Sequence, residues 1–140
     1  MTAAARREAV RELLTESHEA WLLTSRVAGR GIRTRPVRLF GGRGGPDVMV
    51  LTGATSRKAA EIELWPEVTL AGPIGDGWFA AEGTARVLRD SADVEELVVE
   101  CAPGVHAADI CVIAVTLTSA RRWVVRSPSA FDNAIDTLLP

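Results

Sequence analysis

Two stretches of the chain are apolar at successive residues rather than at alternate ones, Val48-Met49-Val50-Leu51 and the run Ile110–Thr118. Successive residues of a strand point to opposite faces, so strands of this kind have to be covered on both sides. An open sheet with one wet face cannot hold them. The chain around them reads as hairpins. Trp21–Val27 and Ile32–Phe40 are β-prone and are separated by the Ala28–Gly31 turn with its two glycines. Gly41–Pro46 is a second glycine-rich turn that leads into the Val48 strand. Further strands are expected at Val68–Ala71 and Trp78–Leu88, with the turn-rich Gly72–Gly77 between them, and Arg121–Arg126 continues the Ile110 run. Six or seven mostly antiparallel strands with this many two-sided members are best buried by closing on themselves, as a split β-barrel of Greek-key type.

Short helices flank that sheet. Val10, Leu13, Leu14 and Ser17 fall at helical spacing, with Trp21 one further turn on and Arg6, Arg7, Glu8, Arg11 and Glu12 on the remaining faces, so residues 1–18 open with an amphipathic helix. Ser56 can cap a helix over Arg57–Leu64, which Trp65 ends because it precedes Pro66. Asp90 or Ser91 can cap a third, with Val94, Leu97, Val98 and Cys101 on one stripe and Pro103 and Gly104 as its stop. Residues 129–139 are expected to form a final helix that docks through Phe131, Ile135, Leu138 and Leu139. The fold class is therefore α+β, in one domain over residues 1–140.

Composition narrows the function. At 140 residues and 47% hydrophobic content the chain can bury one core, and 16 Lys+Arg against 18 Asp+Glu leave a net charge of −2. That balance gives no general attraction to nucleic acid or to an anionic membrane, and there is no run of about 18 apolar residues. Cys101 and Cys111 form no Cys-x-x-Cys pair, and Met1–Glu12 lacks the apolar core of a signal peptide, so a reducing, cytoplasmic setting is expected.

Any site for an anion must then be local. Leu51-Thr52-Gly53-Ala54-Thr55-Ser56-Arg57-Lys58 leaves a strand and enters a helix, bringing hydroxyls, two cations and the free N–H groups of a helix start together. Arg33 and Arg35 share one face of the preceding strand, and Arg38 takes the other. Two neighbouring guanidinium groups repel each other unless an anion lies between them, and phosphate oxygens suit their fork.

In order along the chain, Gly31-Ile32-Arg33-Thr34-Arg35-Pro36-Val37, Leu51-Thr52, Ser56-Arg57-Lys58, Trp65-Pro66-Glu67-Val68 and Glu82-Gly83-Thr84-Ala85-Arg86-Val87 resemble the FMN-binding split-barrel family related to pyridoxamine 5′-phosphate oxidase. The resemblance covers about residues 8–125 and is nearest to the general-stress-protein-like branch. It implies an FMN-dependent oxidoreductase acting on a small organic molecule. It further implies a homodimer with the cofactor at the subunit interface. Arg35, with Val37 beside it, and Ser56, Arg57 and Lys58 would hold the FMN phosphate, while Leu51 and Thr52 would approach the ribityl chain and ring. Trp78 stands where relatives often place a polar residue against the flavin, and Trp123 matches a tryptophan near the ring in longer relatives. Phe40 stands where relatives often carry a lysine. The Arg-Leu-His-x-Arg segment of the authentic vitamin oxidase is replaced by Arg126-Ser127-Pro128-Ser129, so pyridoxamine phosphate is not the expected substrate. Related split barrels bind a deazaflavin or haem, which are the alternative cofactors, and a flavin-binding dimer without catalysis is the alternative function.

Other residues read as structural. His18 and His106, with Asp109 near the latter, lack the further clustered ligands that a metal needs, so no metal site is expected. Cys101 and Cys111 fall on apolar faces. Trp21, Trp65, Trp78 and Trp123 lie in apolar segments and suit a core or a dimer interface better than a stacking surface for bases.

Overall fold

The computed structural model describes residues 2–17, 19–25, 31–42, 45–89, 92–125 and 133–139. His18, Ala28–Arg30 of the first expected turn, the expected caps Asp90 and Ser91, and residues 126–132 with Phe131 lie outside them.

Helix α1 (Ala3–Ser17) is followed by strands β1 (Glu19–Ser25), β2 (Ile32–Arg38), β3 (Phe40–Gly41) and β4 (Val48–Gly53). Then come α2 (Arg57–Leu64), β5 (Glu67–Ile74), β6 (Gly77–Leu88), α3 (Ala92–Cys101), β7 (Ile110–Val125) and β8 (Asn133–Leu139). The strands form one sheet in the order β2-β1-β5-β6-β7-β4-β3, with β8 paired to β7, and every pairing is antiparallel. The two ends of that order, β2 and β3, are joined in the chain by Leu39 alone. A sheet whose outermost strands are consecutive residues has to curl until its edges approach. Leu39 is buried at that seam. This is the split barrel.

Inside the curl, Ala20 and Leu22 of β1, Val48 and Val50 of β4, Leu70 of β5, Phe79 of β6 and Ile113 and Val115 of β7 pack with Val10 and Leu14 of α1 and Ile62 of α2. Outside it, Met49 of β4 and Val112 and Ala114 of β7 pack under Val94, Leu97 and Val98 of α3. The two runs with consecutive apolar residues are thus covered from both sides, by the barrel interior and by α3.

Pairing between β6 and β7 shifts register at Glu82/Gly83, where Glu82 faces Ser119 and Gly83 faces Leu117, so Thr118 is the extra residue. Inward positions on β7 change parity there, from Ile113, Val115 and Leu117 to Ala120. Gly83 allows the close approach: a Cβ on it would lie 2.4 Å from the Thr116 carbonyl oxygen.

Four expectations are corrected. The tail is strand β8 rather than a helix, because it adds to the half of β7 beyond β4, with Ile135 opposite Trp123 and Leu139 opposite Ala120. The turn after β5 is shorter than Gly72–Gly77, since Pro73 pairs with Trp78 and Ile74 with Gly77, and Gly75 takes the positive φ. Trp21 belongs to β1, facing outward, and not to the stripe of α1. Arg7 and Arg11 are not on a solvated face: both bind Asp47, which is fully buried, at 2.6 and 2.7 Å, and the Leu117 N–H donates to the same carboxylate at 2.7 Å. Asp47 therefore locks α1 to the centre of the sheet.

Candidate functional site

Local chemistry sets the helix that carries the Ser-Arg-Lys segment. Ser56 is extended (φ −67°, ψ 153°) and its hydroxyl accepts from the Ala59 N–H at 3.2 Å, while Trp65 before Pro66 is extended and ends the helix. The turn before it is held by the Ala54 N–H on the Asp109 carbonyl at 2.9 Å and the Ser56 N–H on the Gly53 carbonyl at 3.0 Å. Arg57 is exposed and Lys58 is half-buried.

Across from this helix lies β2, an edge strand of the kind that admits a proline such as Pro36. Its Arg33, Arg35 and Val37 share the half-buried face, and Arg38 is exposed, with its guanidinium over the Phe40 ring at 5.4 Å from the centroid. The Phe40 position is therefore used within the fold.

Between hairpin and helix sits Glu61, whose side chain is 1% exposed. Oε1 accepts from Arg33 Nε at 2.7 Å, and Oε2 accepts from Arg35 Nη2 at 2.7 Å and from the Thr24 hydroxyl at 2.6 Å. Arg35 Nη2 also donates to the Thr24 oxygen at 2.8 Å. Burial pushes the Glu61 carboxyl up, but the hydrogen bonds from Thr24, Arg33 and Arg35 outweigh it and bring the pKa down to about 2. The anion that two neighbouring arginines require is thus supplied in part by the protein. Sequence reasoning missed Glu61, because its partners Thr24, Arg33 and Arg35 lie 26 to 37 residues away and no local signal marks it.

One carboxylate does not neutralise the cluster. The Lys58 pKa is lowered, first by burial and then by the charge of Arg35, and Lys58 forms no ion pair among the described residues. Arg35 Nε is buried without a hydrogen-bond partner. A positive field and an unused buried donor therefore meet between Arg35 and Lys58, and an anion placed there would relieve both.

Next to this cluster the β4 end carries Leu51, half-buried, and Thr52, buried and opposite Cys111 in the β4–β7 ladder. The Cys111 thiol is buried and pushed up in pKa by that burial, and it donates to the Gly53 carbonyl at 3.6 Å. It is a packing residue, while the side chain of Cys101 lies outside what is described. Trp78 and Trp123 are opposite each other on β6 and β7, at the far end of β7 from Cys111. The twelve residue steps from Cys111 to Trp123 span on the order of 30–40 Å of strand. Thr52, opposite Cys111, is thus separated along β7 from the two tryptophans, whereas the ladder row of Arg35 runs through Ala81 and Ala120, three residues from Trp78 and Trp123. Trp78 is 56% and Trp21 48% exposed, and Pro36, Trp21 and Ala71 stand side by side in the ladder, as do Pro73, Trp78 and Trp123. These two rows are apolar strips on an outer sheet face that also carries Glu19, Arg38, Glu67, Glu82, Arg86 and Arg121.

His106 and Asp109 do not pair through their side chains. Both are exposed around the short 3₁₀ turn Ala107–Asp109, linked by the Asp109 N–H to the His106 carbonyl. Among the described residues no group of three or more His, Cys, Asp or Glu is placed to hold a metal, and no helix is long and apolar enough to cross a membrane.

A curled antiparallel sheet closed at the Leu39 seam, with a cationic cluster of Arg35 and Lys58 beside the strand–helix turn, defines an α+β split-barrel protein. The family model described as pyridoxamine 5′-phosphate oxidase like matches residues 5–137, and the chain belongs to that family. None of the curated proteins matches its sequence significantly. Among solved structures, a NimC/NimA family protein from Clostridium acetobutylicum is 19% identical with a TM-score of 0.67, over 94% of this chain and 92% of that one. A protein of the same organism related to general stress protein 26 is 14% identical with a TM-score of 0.68, over 97% and 96%. A pyridoxamine 5′-phosphate oxidase-related, FMN-binding protein from Nostoc punctiforme is 13% identical with a TM-score of 0.61, over 99% and 96%. The fold is also that of an F₄₂₀ reductase and of HutZ, the haem storage protein of Vibrio cholerae, with TM-scores of 0.60 and 0.58.

Proposed function

We propose that the protein binds FMN and acts in the cytoplasm as a flavin-dependent oxidoreductase on a small organic substrate, as a homodimer with its flavin sites between subunits. The observation that carries this reading is the Arg35–Lys58 pair, two cations held close enough to disfavour each other, with a buried donor unused. A terminal phosphomonoester is compact, doubly charged and rich in acceptors, and suits that place. Lys58, Arg35, Arg57 and the Ser56 turn would hold it. Val37, Leu51 and Thr52 would flank the rest of the cofactor.

FMN supplies the redox chemistry in such a site, taking hydride from a reduced donor and passing two electrons to an acceptor. The chain's part is to bind, orient and shield. That His106 and Asp109, both exposed, are joined only through their backbone suits this division of labour.

What supports the dimer is the pair of large apolar side chains left exposed on the outer sheet face, Trp21 at 48% and Trp78 at 56%. A second copy packed about a two-fold axis would cover Trp21 and Trp78 and could complete the flavin site from the partner's side. In sedimentation equilibrium Trp78→Glu is expected to shift the mass from two chains to one and to lose FMN together with the partner. A wild type that is monomeric while loaded with FMN would refute the shared site.

The FMN-binding relative supports FMN, and the F₄₂₀ reductase and haem-storage relatives supply the alternatives. FMN-loaded protein mixed anaerobically with reduced nicotinamide is expected to lose its oxidised-flavin absorbance. A band that persists against every reduced donor would leave a flavin carrier rather than an oxidoreductase.

A further inference from the structure

A carboxylate inside a site for phosphate needs a reason, because it repels the ligand. Glu61 stands on α2, the helix whose first turn carries Arg57 and Lys58, and its oxygens reach back to Arg33 and Arg35 on the hairpin. It is thus the link between the two elements that supply the cations. Arg33 and Arg35 are two residues apart on one strand face, about 7 Å, where their charges alone would drive them toward solvent. Glu61 takes one donor from each, and Thr24 closes the ring by donating to Glu61 and accepting from Arg35. With Nη2 so engaged, the rest of the Arg35 guanidinium has a fixed direction.

We propose that Glu61 is the positioning residue of the anion site: by gripping Arg33 and Arg35 it aims the free part of Arg35 alongside Lys58, and so selects a phosphorylated flavin over an unphosphorylated one. The proposal rests on the flavin reading above. Because Glu61 keeps its charge at any working pH, the grip is constant rather than switched.

The test compares FMN with riboflavin, which lacks the phosphate, as ligands of full-length wild type, Glu61→Gln and Thr24→Val, well below each protein's Tm. Wild type is expected to prefer FMN. Glu61→Gln is expected to lower that preference by roughly tenfold, the scale of one charged hydrogen bond, with riboflavin affinity little changed. Thr24→Val should lower it in the same sense by a smaller factor, and it decides the matter should Glu61→Gln fail to fold. Glu61→Gln makes the site more positive by one charge, so a carboxylate that merely opposes the phosphate predicts the opposite, a rise in FMN preference. A rise, or an unchanged preference in both variants, overturns the proposal while the flavin reading stands. A wild type that takes up neither flavin overturns both.

Discussion

Arg35 on β2 and Lys58 on α2, from segments far apart in the chain, lie close enough that the charge of the arginine helps to lower the lysine's pKa. An anion between them would raise that pKa again, so binding and protonation of Lys58 are coupled. FMN affinity should be flat while Lys58 is charged, and should fall as pH rises through a midpoint below the ordinary 10.5. Lys58→Arg, which keeps its charge, should abolish that fall. Isothermal titration across alkaline pH checks both, and an equal decline in the two proteins would remove Lys58 from the site.

Lys58→Ala should weaken FMN binding by about 1.5–3 kcal/mol, the worth of a charged hydrogen bond. Stability to urea should hardly change, because Lys58 makes no ion pair among the described residues. Equal FMN affinity in variant and wild type would contradict the phosphate assignment.

Glu61 sets acid stability. Its pKa is lowered on folding from 4.5 to about 2, so the stability it contributes is present above 4.5 and is lost as pH falls from 4.5 toward 2. The amount is about 3 kcal/mol. Glu61→Gln should flatten that part of the pH–stability curve measured by urea unfolding. A curve of unchanged shape would mean that Glu61 is no more bonded when folded than when unfolded.

Asp47 should be the most costly single carboxylate to remove. Asp47→Ala leaves Arg7 and Arg11 without their buried partner and the Leu117 N–H without an acceptor, a loss of about 3–5 kcal/mol. Chemical denaturation gives the value, and a loss below about 1 kcal/mol would show that α1 docks by apolar contact alone.

Features with local causes were legible in the sequence. The α2 limits follow from Ser56 and from Trp65-Pro66, and the two-sided strands β4 and β7 announce themselves by consecutive apolar residues. Arg33 and Arg35 were correctly placed on one face by strand period. Their partner was not visible, since Glu61 is 28 and 26 residues away from them and only the curl of the sheet brings it there. Asp47 escaped for the same reason, being 36 and 40 residues from its arginines. The tail misled because Ile135, Leu138 and Leu139 suit a helix by spacing, whereas the unpaired half of β7 offers a ladder, and pairing outweighs local preference.

A phosphate seated between Arg35 and Lys58 should make the protein retain FMN once free ligand is removed. The most direct measurement is the absorbance spectrum of the purified protein during titration with FMN, followed by gel filtration to remove free ligand. Oxidised-flavin bands are expected to stay with the protein at one FMN per chain. Protein that emerges colourless after saturation with FMN would contradict that phosphate site.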